Sequence, residues 1–149
     1  MNKLSILPGL AWCGALLAGC AGDAPTFRVV SVTETERSDL AVVLGFEIEA
    51  ENRTGDPLPL EQASYALRLD GRPVFEGGRI ARVTVPRYGI QTLELPAVVP
   101  AALVPPGRFD AGGEMRYELD GTVEYQTPGR LAEFLFDLNL RRPEAPLDL

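Results

Sequence analysis

A two-residue period over residues 40–51, with an apolar side chain at every second position, is the feature that most constrains how this chain can fold. Three glutamates, Glu47, Glu49 and Glu51, occupy one parity of that segment. The other parity carries Leu40, Val42, Leu44, Phe46, Ile48 and Ala50. A period of two residues predicts a β-strand with one buried face. Turn-forming residues over 52–59 separate it from a second alternating run, in which Tyr65, Leu67 and Leu69 face inward. More strands must follow to cover both apolar faces.

Further strands are predicted over residues 26–35, 79–85, 90–99, 114–126 and 131–141. Asp70-Gly71 predicts a tight hairpin turn, and Gly77-Gly78 predicts another change of direction. Pro96 indicates an edge or bulged position, and Gly121 indicates a bulge or a close backbone approach. Residues 100–104 could form one helical turn before Pro105 and Pro106.

In the segment 131–141 we expect an inward face of Phe134, Phe136, Leu138 and Leu140, and we expect the tail 142–149 to be extended or frayed. The pattern as a whole predicts an all-β fold, an antiparallel sandwich of seven to eight strands over residues 26–141. A chain of 149 residues suits a single domain of this kind.

The first 19 residues are typical of a bacterial secretory signal, because Lys3 precedes an apolar run of residues 4–17 that is too short to span a membrane. Leu17, Ala18, Gly19 and Cys20 resemble a lipobox, which implies diacylglycerol and an N-acyl chain on Cys20. The alternative is an ordinary signal peptide with an unused thiol. Residues 20–25 would then be a short tether, and Ala21 favours the periplasmic face of the outer membrane.

Composition excludes several classes of function. The chain has 14 basic and 21 acidic residues, a net charge of −7, and no basic cluster that could follow a phosphate backbone, so nucleic acid is not an expected partner. It has no histidine, which removes imidazole as an acid, base or metal ligand. Without Cys13, Cys20 would be the sole cysteine and no internal disulfide could form. We therefore expect no metal and no cofactor apart from the acyl chains on Cys20.

Eight residues in order along the chain resemble the WHy domain, also called the late embryogenesis abundant (LEA) type 2 domain. They are Asn52, Pro57, Tyr65, Gly71, Gly77, Pro86, Tyr117 and Gly121. The resemblance covers about residues 26–140, although the usual Asn-Pro-Asn is here Asn-Arg-Thr. It implies an immunoglobulin-like or fibronectin-III-like sandwich in a protein associated with desiccation and stress, and it transfers no catalytic residue.

Other candidate sites have simpler explanations. The ladders Glu47/Glu49/Glu51 and Glu114/Glu118/Asp120/Glu124 are interpreted as solvated strand faces rather than Ca²⁺ or hydrolase sites. Asn52-Arg53-Thr54 matches a glycosylation sequon but is better explained by turn chemistry. Core packing, rather than a ligand pocket, explains the aromatic residues at inward positions, which are Phe46, Tyr65, Tyr117, Tyr125, Phe134 and Phe136. Arg141-Arg142 could contact anionic headgroups, although a solvated tail explains them too.

These observations predict a non-catalytic, membrane-anchored lipoprotein that protects envelope proteins or the membrane under desiccation. The alternative is an accessory or assembly lipoprotein that binds an envelope-complex partner through a sheet edge. The oligomeric state is not predicted.

Overall fold

The computed structural model describes residues 24–108 and 116–149, which form two packed antiparallel sheets. The three-stranded sheet has the order β1-β2-β5, and the four-stranded sheet has the order β4-β3-β6-β7. The strands are β1 (Thr26–Arg37), β2 (Ala41–Asn52), β3 (Leu58–Leu69), β4 (Arg72–Val85), β5 (Gly89–Pro100), β6 (Tyr117–Tyr125) and β7 (Glu144–Asp148). The predicted all-β sandwich of seven to eight strands is confirmed.

The core lies between the two sheets and is centred on β2 and β3. Five of the six apolar residues predicted to face inward from β2 are completely buried: Val42, Leu44, Phe46, Ile48 and Ala50. Leu40 is the exception, because β2 begins after it and its side chain is 85% exposed. Tyr65, Leu67 and Leu69 of β3 are buried as the alternation predicts. The period of two residues therefore identifies the buried face of both central strands.

One end of the sandwich collects the start of β1, the end of β2, the β4–β5 turn and the end of β6. The register shows this, since Thr26 pairs with Glu51, Gly89 pairs with Asn52, and Leu60 pairs with Tyr125. We call it the Asn52 end. The opposite end carries the β1–β2 turn, the β3–β4 turn and a short 3-10 helix (Ala101–Leu103), where one helical turn was predicted.

The predicted strand 131–141 is wrong, because residues Arg130–Asp137 form a helix, α1. Phe136 is buried, whereas Phe134, Leu138 and Leu140 are 59%, 51% and 70% exposed. Apolar residues on alternate positions in this segment also fall at helical spacing, so the period alone does not separate the two structures. Glu133 N–H bonds the Gly129 carbonyl at 2.9 Å in the first turn.

Of the two alternatives predicted for the tail, extended or frayed, the extended one is confirmed, and the tail is in addition a strand of the sheet. Residues 144–148 form β7, which pairs with β6 from Glu124 to Asp120. Ala145 and Leu147 are completely buried in the core. The sandwich therefore extends past residue 141 and includes this last strand.

The predicted change of direction at Gly77-Gly78 does not occur, because β4 runs without a break from Arg72 to Val85. Its irregularities lie elsewhere. One extra residue is inserted into β4 where Leu60 pairs with Val83 but Gln62 with Ile80, and another where Leu67 pairs with Phe75 but Arg68 with Pro73. The turn at Asp70-Gly71 is confirmed, with φ of 49° and 76° at the two residues.

Candidate functional site

Asn52 is the polar centre of the Asn52 end and is 1% exposed. Its Nδ2 donates to the carbonyl of Asp56 at 2.7 Å and to that of Pro86 at 3.1 Å. Its Oδ1 accepts from the Thr54 backbone N–H at 2.8 Å and from the Thr54 hydroxyl at 2.7 Å. One side chain thus joins the β2–β3 loop to the β4–β5 turn. These bonds confirm that Asn52 stabilises a turn, as predicted. Pro57 is exposed and lies just before β3.

Tyr65 connects the two sheets. It lies in β3 between Gly77 of β4 and Gly121 of β6, which are its partners in the register. Its hydroxyl crosses the core and donates to the carbonyl of Pro96 in β5 at 2.6 Å. Pro96 belongs to the edge strand of the three-stranded sheet, as predicted. The close approach predicted at Gly121 is confirmed, since a Cβ there would lie 2.2 Å from the Ser64 carbonyl oxygen.

Burial raises the pKa of Tyr65, with a nearby positive charge on Arg79 acting in the opposite direction. The folded state therefore keeps the phenolic proton at a pH where the unfolded chain loses it, so the stability that Tyr65 contributes is complete below about pH 10 and falls as the pH rises. Burial also raises the pKa of Tyr125, which adds to the same alkaline loss.

We expect Tyr65→Phe to lower the free energy of unfolding by about 1–2 kcal/mol at pH 7, because the Pro96 carbonyl loses its donor. The variant should also lose less stability than the wild type between pH 9 and pH 11, which urea unfolding at several pH values measures. Tyr88→Phe is the control, because Tyr88 is 76% exposed. An alkaline loss unchanged in Tyr65→Phe would contradict the assignment.

Tyr117 completes the aromatic core. Its ring meets that of Phe46 in an edge-to-face arrangement, with centroids 5.6 Å apart and an interplanar angle of 67°. Such pairs stabilise a core by roughly 0.5–1.5 kcal/mol beyond the area that they bury. Core packing is thus confirmed for these rings and for Tyr65 and Tyr125, whereas Phe134 does not share it.

The two acidic ladders do not converge. Glu47, Glu49 and Glu51 lie on β2 in the three-stranded sheet, whereas Glu118, Asp120 and Glu124 lie on β6 in the other sheet. The outer faces of a sandwich point in opposite directions, so the ladders cannot share a ligand. Several of these carboxylates have cationic neighbours, in the pairs Glu49–Arg28, Glu51–Arg53 and Glu124–Arg142. Glu114 lies outside the described residues.

A shallow depression of about 380 Å³ lies on the outer face of the three-stranded sheet. Its lining includes Glu47 and its cross-strand partner Glu94, with the Ser31 hydroxyl donating to Glu47 at 2.8 Å. Across residues 24–108 and 116–149, no three His, Cys, Asp or Glu side chains are grouped so that they could hold a metal ion. The depression therefore has a polar lining without a recognisable metal centre.

Helix α1 presents an apolar surface that the strand prediction missed. Leu131, Phe134 and Leu138 are 71%, 59% and 51% exposed and follow the i, i+3, i+7 spacing of one helix face. We call these three residues the α1 apolar face. The helical spacing is visible in the sequence and could have revealed it. Arg142, expected in a solvated tail, instead bonds Glu124 at 2.9 Å and lies over the Phe136 ring at 5.0 Å.

Comparison with protein families decides the relationship. The model for late embryogenesis abundant protein, LEA_2, matches residues 47–139, which is more than half of the chain. The protein belongs to the LEA type 2 family. This confirms the resemblance on which Asn52, Tyr65 and Gly121 were selected. The LEA_2 match ends two residues after α1, so the helix lies within the matched region.

Solved structures agree with the LEA_2 fold. A solution structure of an Arabidopsis thaliana protein has a TM-score of 0.62 at 16% identity, covering 89% of this chain and 85% of its own. A solution structure of a late embryogenesis abundant protein has a TM-score of 0.53 at 16% identity, covering 85% and 71%. A crystal structure of an Archaeoglobus fulgidus protein has a TM-score of 0.52 at 13% identity, covering 83% and 94%. A comparison with curated protein sequences finds no match.

The LEA type 2 relationship marks this chain as related to stress and desiccation proteins, a group that is in general non-enzymatic. The lipobox residues Leu17, Ala18, Gly19 and Cys20 lie outside the described residues. Within residues 24–108 and 116–149, no helix has the length and apolar character needed to cross a membrane. Of the family-motif positions, Asn52 and Pro86 meet at one end, while Tyr65, Gly77 and Gly121 lie side by side in the four-stranded sheet.

Proposed function

We propose that this LEA type 2 domain is held in the bacterial envelope by acyl chains on Cys20 and protects nearby proteins or membrane during water loss. The family match over residues 47–139 is the observation that carries the protective role. The lipobox at residues 17–20, after an apolar run, supports the anchor, and Ala21 supports the periplasmic face of the outer membrane.

The surface chemistry is compatible with protection by contact. Removal of residues 1–19 takes away the only lysine and leaves 13 arginines against 21 acidic residues, a net charge of −8. Acidic side chains are present on the outer faces of both sheets. Hydrated charges of one sign keep neighbouring molecules apart as water is withdrawn, because they repel one another and retain water.

Strand addition at a sheet edge, the accessory-protein alternative, has less support in the geometry. All four edge strands, β1, β4, β5 and β7, carry an interruption. Register shifts occur in β1 near Val30 and in β4 near Arg82, while β5 contains Pro96 and β7 contains Pro146. Bulges and prolines at edges oppose pairing with another chain. Protection is therefore the function that we propose.

Drying a labile enzyme together with the domain tests the protective role. Residues 21–149 are mixed with the enzyme, dried and rehydrated, and the recovered activity is compared with that after drying with an equal mass of an inert acidic protein. We expect clearly higher recovery with the domain. Gly121→Val, which has the same charge but should not fold, is the matched control. Recovery no better than with the inert protein would overturn the proposal, and equal recovery with Gly121→Val would assign protection to composition rather than to the fold.

A further inference from the structure

The path of the chain places the N-terminal tether and α1 at the same end of the domain. β1 begins at Thr26, opposite Glu51, so the tether leaves from the Asn52 end. The segment between β6 and β7, which contains α1, is fixed there at both of its ends. Gln126 N–H bonds the Pro59 carbonyl at 2.9 Å, and Tyr125 N–H bonds the Pro143 carbonyl at 3.0 Å.

The N-terminal tether and α1 also lie on the same side of the sandwich. β1 and β7 are edge strands of different sheets that contact each other, and both begin at the Asn52 end. The chain enters β7 directly from the segment that follows α1. An eight-residue helix is only about 12 Å long, so α1 cannot extend far from this end.

The Asn52 end has more exposed apolar surface than the α1 apolar face alone. Leu140, just beyond the helix, is 70% exposed, while Tyr88 of the β4–β5 turn and Ile90 of β5 are 76% and 54% exposed. Tyrosine is favoured at membrane–water interfaces because it combines an apolar ring with a polar hydroxyl. Leu140 follows α1, whereas Tyr88 and Ile90 lie where β4 leads into β5 at the same end, so the α1 apolar face is the part of this surface to which a contact can be assigned.

We propose that the α1 apolar face rests in the headgroup region of the bilayer that holds the Cys20 acyl chains. The inference depends on the proposed anchor. Six tether residues, 20–25, reach at most about 20 Å, which keeps the Asn52 end within that distance of the membrane. A bilayer is therefore the apolar phase that is always beside this face. Amphipathic helices bind such interfaces by burying one apolar side while their charged residues stay in water.

The charges around the helix fit a surface position rather than insertion. Arg130, Glu133 and Asp137 of α1 are exposed, and Arg141 follows the helix. Arginine can bond lipid phosphate while its carbon stem lies along apolar surface. In this orientation the domain stands on its Asn52 end, and the outer faces of both sheets extend away from the membrane towards neighbouring proteins.

A single tryptophan can report on this contact, because Trp12, the only tryptophan in the sequence, is removed with residues 1–19 from the lipidated protein. Phe134→Trp then places a reporter in the α1 apolar face. Leu40→Trp is the control, since Leu40 is 85% exposed in the β1–β2 turn at the opposite end. The lipidated proteins are reconstituted into vesicles of phosphatidylcholine or of its dibrominated form, and tryptophan emission is recorded.

We expect the reporter at position 134 to emit at shorter wavelength and to be quenched by brominated lipid, and the reporter at position 40 to show neither effect. Adding Leu138→Glu should reduce quenching at position 134, whereas Leu103→Glu at the far end should not. Equal quenching of the two reporters overturns the proposal. A blue shift at position 134 without quenching also overturns it, because a second copy or another protein would then cover the face.

The anchor is tested separately by fractionating cells that produce the wild type or Cys20→Ala. We expect the wild type in the membrane fraction and a several-fold increase of Cys20→Ala in the soluble fraction. Identical distributions would overturn the anchor and, with it, the docking of α1. A membrane-bound wild type whose position 134 is not quenched would overturn only the docking.

Discussion

Gly121→Val is expected to prevent folding or to lower the free energy of unfolding by more than about 4 kcal/mol, because its side chain has no space to occupy. A Cβ at position 121 would lie 2.2 Å from the Ser64 carbonyl oxygen, 2.8 Å from Tyr65 Cα and 3.0 Å from Tyr65 Cβ. Two of these atoms belong to the backbone of β3, whose neighbours on both sides are paired strands, so relief requires separating β3 from β6. Urea unfolding followed by far-UV circular dichroism measures the loss.

Gly55→Val is the matched control for Gly121→Val. A Cβ at Gly55 would lie 3.1 Å from the hydroxyl oxygen of Tyr88, which is the far end of an exposed side chain and can move aside. We expect this variant to remain within about 1 kcal/mol of the wild type. A Gly121→Val protein that unfolds at the wild-type urea concentration would show that β3 and β6 are not in this register.

The sequence predicts the central strands well because each has one buried face. β2, β3 and β6 alternate over many residues, and their core side chains Phe46, Leu67 and Leu119 are completely buried where the period places them. A strand with this pattern cannot shift by one residue without turning its apolar side chains into water. The alternation of apolar residues is therefore sufficient to identify the inward residues of these strands.

The sequence mispredicts the segment 131–141 because its pattern fits two structures. Its apolar residues alternate, yet Leu131, Phe134 and Leu138 also share one helix face. The choice depends on a distant segment, since β7 takes the position beside β6 that another strand would need. The pairing between β6 and β7 is non-local. The strand propensity of residues 130–141 therefore cannot reveal that the position beside β6 is already occupied.

The sequence predicts an extended or frayed tail but not its pairing in the sheet, for a related reason. Pro143, Pro146 and the acidic residues give it little strand propensity, and only Ala145 and Leu147 alternate clearly. As an edge strand, β7 tolerates Pro146, because one side of the strand needs no donor. The α1 apolar face follows from this arrangement, since β7 contributes to the core in place of the helix and Phe136 is the one buried residue of α1.

The motif residues show what a sequence can and cannot reveal about a site. Asn52 follows an apolar strand and precedes a turn, which predicts a local bond such as the one from the Thr54 N–H. Its bond to the Pro86 carbonyl crosses 34 residues and requires the complete fold. Tyr65 is predicted to face inward, but nothing in its neighbours indicates that its hydroxyl meets Pro96 in the other sheet.

Asn52→Ala is expected to lower the free energy of unfolding by about 3 kcal/mol, because partners in two connections lose their bonds together. The Asp56 and Pro86 carbonyls lose a donor, and the Thr54 N–H and hydroxyl lose an acceptor. The side chain is 1% exposed, so water cannot replace these bonds without opening the end of the sandwich. Urea unfolding at pH 7 measures the change.

Arg53→Ala is the control in the same loop. Arg53 is exposed and pairs with Glu51, and its loss should change the free energy of unfolding by less than about 1 kcal/mol.

Asn52→Asp removes the amide donor but keeps the volume of the side chain, so it separates these two effects of Asn52→Ala. The aspartate keeps an acceptor for Thr54 but directs a carboxylate oxygen at the Asp56 and Pro86 carbonyls, so burial and these carbonyls should raise its pKa above the ordinary value in the folded state. A raised pKa means that the folded protein binds a proton where the unfolded chain has released it, and stability is lost as the pH rises through this range. We therefore expect Asn52→Asp to be less destabilised at pH 4 than at pH 7, while the difference between Asn52→Ala and the wild type stays nearly constant. Equal losses for Asn52→Asp at both pH values would show that Nδ2 does not bond these carbonyls and that Asn52 acts through Oδ1 alone.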